Sequence, residues 1–221
     1  SAHIEVVGER EVGGLAGLFR GSTGKKITIR DSFATGDVTG INNLVGGLVG
    51  IISSGNIGSV NEITNSYATG EVNGDQLVGG FVGKAEALPS GVVRIKNSYA
   101  KGNVNGKQYV GGLIGFNVTN GYDSPISSVI EVEHCYATGK VTGHSETGGL
   151  VGANNEYEER GNIIEVTGSY WLADSYTDGE LPDNGIGIPV EEADLRDPET
   201  FKDWDLTEGW YQYDGHRPFL Q

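Results

Sequence analysis

The chain has 221 residues, of which 37 are glycine, with 15 basic against 30 acidic side chains and a formal net charge of −15. Glycine usually contributes about 7% of residues, and each one inside a helix costs ~1 kcal/mol, so a protein of long helices is excluded. Binding phosphates needs the opposite charge, which argues against a nucleic-acid partner. No run of about 18 apolar residues offers a membrane span, and the one cysteine, Cys135, cannot close a disulfide within the chain.

Self-similarity sets the architecture. In chain order, Val12-Gly13-Gly14-Leu15-Ala16-Gly17 recurs as Val45-Gly46-Gly47-Leu48-Val49-Gly50, Val78-Gly79-Gly80-Phe81-Val82-Gly83, Val110-Gly111-Gly112-Leu113-Ile114-Gly115 and Thr147-Gly148-Gly149-Leu150-Val151-Gly152. Starts at residues 12, 45, 78, 110 and 147 give steps of 33, 33, 32 and 37. Each short apolar run bounded by glycine suits a buried strand. A second strand follows, with apolar residues two apart on one face: Ile27 and Ile29, Ile63 alone, Val93 and Ile95, Ile130 and Val132, Ile164 and Val166.

Asp31, Asn65, Asn97, His134 and Gly168 come next, residue types that tolerate the left-handed region and so predict a corner. After it runs a third strand, Ser66-Tyr67-Ala68-Thr69-Gly70-Glu71-Val72 in the second repeat, with Val38, Val72, Val104 and Val141 pointing inward. The predicted fold is all-β: a right-handed parallel β-solenoid of about five coils over residues 1–170. Residues 171–221 form a C-terminal cap, whose Phe201, Trp204 and Trp210 are expected to cover the open end of the core. Ile4-Glu5-Val6-Val7 reads as one strand of a first coil cut through, and Ser1 as the start of a processed or excised fragment.

Leu48-Val49-Gly50 together with Asn65-Ser66-Tyr67-Ala68-Thr69-Gly70-Glu71-Val72 resembles the pattern of the GLUG family, named for a Gly-Leu-x-Gly signature. That family occurs in bacterial adhesins and in the non-catalytic region of metallopeptidases that cleave immunoglobulin A1. The tail, from Tyr170-Trp171 through Trp204, Trp210 and Pro218-Phe219-Leu220, is similar to the module that ends many such arrays. The resemblance implies a parallel β-solenoid, an extracellular location and a parent chain that extends further toward the N-terminus.

The candidate binding residues are the column Phe33, Tyr67, Tyr99, Tyr136 and Tyr170. Strict alternation from Ala68 would turn these rings outward as an apolar contact surface. A break in parity at the Asn65 corner would put them inside, each coil's ring stacking on the next, and this second arrangement is the one expected. Asn117-Val118-Thr119 fits an N-glycosylation pattern. No catalytic residue is identified: His3, His134, His144 and His216 lack metallopeptidase spacing, and Cys135 aligns with Ser32, Ser66 and Ser98 as a small corner residue. The outward column Asp37, Glu71, Asn103 and Lys140 changes sign and reads as solvated surface. No cofactor is expected. The tail acids Asp174, Asp178, Asp183, Glu191, Glu192, Asp194 and Asp197 are the one place for calcium, without a loop signature to support it.

These features predict a secreted or cell-surface structural and adhesive stalk module that binds an extracellular protein or glycan, or further repeats of its parent chain, and is not an enzyme. Partner contacts are expected on the variable segments 18–26, 51–61, 84–91, 116–128 and 153–162. Two rival expectations are an accessory domain of a larger secreted enzyme such as a peptidase, and a polysaccharide-active solenoid enzyme.

Overall fold

A computed structural model describes residues 4–120, 126–155, 162–175, 184–204, 210–211 and 216–220. Strands run one above another in five parallel sheets, forming a β-solenoid of about five turns with no α-helix among the described residues. The register follows the repeat: Val38 pairs with Val72, Val72 with Val104 and Val104 with Val141.

Each coil has five short strands where the sequence predicts three. In the second coil they are Asn43–Gly46, Val49–Ser53, Val60–Thr64, Tyr67–Ala68 and Val72–Asn73. The predicted first and third strands are each cut in two by glycine, because the backbone turns there and packs on itself. A Cβ at Gly46 would collide with the carbonyl of Val49, and one at Gly70 with the carbonyl of Gly36 in the coil before. Only glycine lets backbones approach so closely.

This approach divides the interior into two lobes. The larger holds Leu48, Phe81, Leu113 and Leu150 in one fully buried column, with Ile63, Ile95, Ile130 and Val132 across from them. The smaller is built almost wholly of valine: Val12, Val38, Val45, Val72, Val78, Val104, Val110 and Val141. Ala34, Ala68, Ala100 and Ala137 lie against the second glycine of each pair, and nothing larger fits between those backbones. In the second coil, Asn61 replaces the missing aliphatic of the second strand. It is fully buried, and its Nδ2 donates to the Ser53 carbonyl at 2.8 Å and to the Phe19 carbonyl at 3.3 Å, which offsets part of the cost of placing an amide in the core, while its Oδ1 finds no partner among the described residues.

All five predicted corner residues, Asp31, Asn65, Asn97, His134 and Gly168, have φ between 48° and 53°. Beside them runs a serine ladder. The Ser66 hydroxyl accepts from the Ser32 backbone N–H at 3.2 Å and donates to the Thr64 carbonyl at 2.8 Å, and Ser98 does the same one coil on.

The end of the core is closed differently from the expectation. Trp171 takes the place of the alanine column, pairs with Ala137 and lies over Gly149, filling the larger lobe where a following coil would otherwise stack. Asn184 donates to the exposed-edge carbonyls of Val151 and Gly152, both at 2.6 Å. Phe201, Trp204 and Trp210 do not cover the core end. They lie along the side of the solenoid, against the aromatic column.

Candidate functional site: an outward aromatic ladder

Alternation holds through the corner. Ala68 enters the large lobe, so its neighbour Tyr67 points out of the coil, and the whole column follows. The expected break in parity does not occur, because φ near +50° at Asn65 turns the chain without reversing the order of faces that follows.

The rings stack as expected, but outside. Phe33 and Tyr67 lie 5.1 Å apart between centroids with 7° between planes, Tyr67 and Tyr99 4.9 Å and 3°, and Tyr99 and Tyr136 5.0 Å and 12°. In-register strands impose this spacing, since each ring projects from the same position one coil further on. Offset-stacked pairs of this kind add ~1 kcal/mol each beyond burial.

Exposure changes along the ladder. Phe33 is 58% exposed, Tyr67 is half-buried, and Tyr136 is fully buried. The tail makes the difference. Trp210 lies 5.8 Å from Tyr99 and 6.0 Å from Tyr136, Trp204 lies 5.9 Å from Tyr170, and Leu195, Phe201 and Leu220 complete the cover. Three hydrogen bonds pin it: Tyr136 Oη to the Pro218 carbonyl at 2.6 Å, Tyr170 Oη to Thr200 at 2.9 Å, and Trp204 Nε1 to Gly168 at 2.9 Å. Burial pushes the hydroxyls of Tyr99, Tyr136 and Tyr170 above the usual phenol pKa.

The other sequence candidates have structural occupations. Cys135 is fully buried, donates to the Glu133 carbonyl at 3.3 Å, and burial raises its thiol pKa to about 12, far from a thiolate nucleophile. Its neighbour His134 sits at the left-handed corner against the Trp204 ring. Asp37 and Asn103 accept backbone N–H groups of the coil beyond, from Glu71 at 2.8 Å and Lys140 at 3.0 Å. Asn117 and Thr119 are fully buried and Asn117 bonds Asn154, so the glycosylation pattern does not mark a surface loop. Of the tail acids, Asp178 and Asp183 lie outside the described residues. Glu192 is tied to Arg196 and Arg217, Asp197 caps Glu199, and Asp194 accepts from the Glu191 backbone, so these carboxylates face their own neighbours.

Two features escaped the sequence reading. One is a charged outer face on the second-strand sheet, where Arg94 meets Glu131 at 2.6 Å and Lys96 meets Glu133 at 2.6 Å. Directly paired residues of opposite sign at two-residue spacing were its signal. Glu131 is held below the usual carboxylate range by its hydrogen bond from Arg94. The other is Lys101, which stands where the other coils have Thr35, Thr69 and Thr138, with Nζ 4.5 Å from the centre of the Tyr99 ring.

No curated protein and no solved structure matches the chain. Residues 106–142 match the family model of the GLUG motif. That stretch contains the fourth Gly-Gly-Leu-Ile-Gly run, the corner at His134 and the Tyr136 rung. The same run, corner and rung recur through the other coils, so the stretch that carries the GLUG motif has counterparts along the solenoid.

Proposed function

We propose that this chain is a structural and adhesive stalk module of a secreted or cell-surface protein, binding an extracellular protein or glycan rather than catalysing a reaction. The observation that supports this reading is the open end of the ladder, where Phe33 and Tyr67 stack face to face and Phe33 keeps 58% of its surface in solvent. Rings held at fixed spacing by paired backbone are ordered before a partner arrives, so little side-chain freedom is lost on contact. Phe33, the end ring, has one flat face not covered by the ladder, and such a face suits the C–H faces of sugars and apolar protein side chains alike, while Tyr67, stacked on both sides, offers its edge. Stacked coils add length at constant cross-section, as a stalk requires.

The test is binding of the purified chain to arrays of glycans and extracellular matrix proteins, beside Phe33→Ala and Tyr67→Ala. Capture that is lost in both variants while their melting temperatures hold supports the proposal. Capture at the parent level in both variants, or release of product from polysaccharide or peptide substrates with or without calcium or zinc, counts against it.

A further inference from the structure

Where the tail crosses the ladder it leaves a groove of about 300 Å³, walled by Lys101, Arg196, His216, Arg217 and Phe219. Three of these five side chains are cationic at neutral pH, in a chain whose formal net charge is −15. Both guanidiniums share one carboxylate: Arg196 reaches Glu192 at 2.7 Å, and Arg217 donates to it through Nε at 3.2 Å and through Nη2. Among the described residues, the three cationic side chains of the groove wall are met by one paired carboxylate, Glu192.

Lys101 completes the cluster without a carboxylate. Its Nζ rests over Tyr99 at 4.5 Å and lies 6.0 Å from the centre of Tyr136, and no acidic side chain among the described residues pairs with it. Burial first, and the nearby Arg217 second, lower its pKa, so the ammonium is both desolvated and beside a like charge. The fold does not require lysine there, since Thr35, Thr69 and Thr138 hold the equivalent position. A half-buried lysine beside an arginine lowers stability unless an anion relieves the repulsion.

We infer that this groove is an oxyanion site, taking a carboxylate, sulfate or phosphate group between the Lys101 ammonium and the Arg217 guanidinium, with His216 at its rim. Arg217 supplies a planar set of donors and Lys101 a point charge, the two complementary ways of holding an oxyanion. The site is separate from the open rings Phe33 and Tyr67 and stands whether or not they bind a partner.

The test titrates the full chain separately with inorganic sulfate, inorganic phosphate and glucuronate at ionic strength fixed with chloride, following Trp fluorescence and the NMR signals of Lys101. The parent should saturate with at least one of the three, and the Lys101 pKa should rise on binding. A response to glucuronate alone assigns a carboxylate ligand, and a response to sulfate or phosphate assigns a tetrahedral one. Lys101→Thr restores the residue of the other coils, so it should fold normally and bind about tenfold more weakly or worse, a loss of ~1.4 kcal/mol. Arg217→Lys should weaken binding as well, while Lys202→Met should not. No saturable response to any of the three anions, or equal affinity in Lys101→Thr, overturns the inference.

Discussion

Tyr136 donates its hydroxyl to the backbone carbonyl of Pro218 at 2.6 Å, across 82 residues of sequence. Through that bond a repeat position of the solenoid, common to every coil, becomes the seat of the non-repeating tail. Tyr136→Phe keeps the ring stacked on Tyr99 and in contact with the tilted Trp210 ring but leaves a buried carbonyl without its donor, which costs ~1–3 kcal/mol. Tyr136→Ala removes the ring as well and should cost ~3–5 kcal/mol. Urea unfolding followed by Trp fluorescence checks both, and equal stabilities for the parent and the alanine variant would contradict the packing of the tail.

The larger lobe makes a second test. Leu48, Phe81, Leu113 and Leu150 form one column with no exposed surface, and among the described residues no basic group enters it. Leu113→Asp should therefore destabilise by more than ~4 kcal/mol, since a carboxylate there finds neither water nor a partner. Melting within a degree or two of the parent would show the register to be wrong.

The glycines that close the Ala-Thr-Gly runs and the equivalent Ala100-Lys101-Gly102 should be as intolerant as the core. A Cβ at Gly102 would overlap the Gly70 carbonyl, whereas at Gly24 it would meet nothing within 4 Å and only the strain of φ +69° opposes it. Gly24→Ala should cost ~1 kcal/mol. Gly102→Ala should cost several times more, because two paired strands must move apart. Thermal unfolding of the two variants side by side measures the difference, and equal losses would mean that the coils are not in close backbone contact.

How far this structure could be read from sequence depended on whether a position carries its own signal. Asp31, Asn65, Asn97 and His134 announce a left-handed corner because their side chains suit it. A second left-handed column, at Glu11, Leu44, Leu77, Tyr109 and Glu146, was illegible, since φ of 45° to 67° at those residues comes from closing the coil around Val12 and its equivalents and not from residue type. The column Phe33 to Tyr170 was legible as a stack, but its direction was not: apolar rings suggest burial, and what buries Tyr136 is a tail more than sixty residues further on in sequence. Lys101 shows in a single sequence only as a departure from threonine, and its Arg217 neighbour is supplied by tertiary packing.

Cys135 interrupts the serine ladder, and this gives a prediction that links composition to pH. Folded, its thiol is held up to about 12 from 9.0 by burial, and the phenols of Tyr99, Tyr136 and Tyr170 are raised for the same reason. The folded state keeps these protons more tightly than the unfolded chain. Stability is therefore whole below pH 9 and falls as pH rises toward 12. Cys135→Ser should fold at least as well as the parent at neutral pH, restoring the hydroxyl that accepts from the coil before, and should lose less stability on going to about pH 10.5. Cys135→Val, which can neither accept nor donate, should be the weaker variant. Urea midpoints that do not change with pH in the parent would contradict this.

Tyrosine nitration of the native chain, read residue by residue by mass spectrometry, tests most directly whether the aromatic ladder lies outside the coil and beneath the tail. Half-buried Tyr67 and exposed Tyr211 should react, while Tyr99 and Tyr136 should be protected. Trp210→Ala, which removes the ring packed on both, should expose Tyr99 and Tyr136 without unfolding the solenoid. Protection of Tyr67 along with the others, unchanged in Trp210→Ala, would place the rings inside the coil and contradict the structure described above.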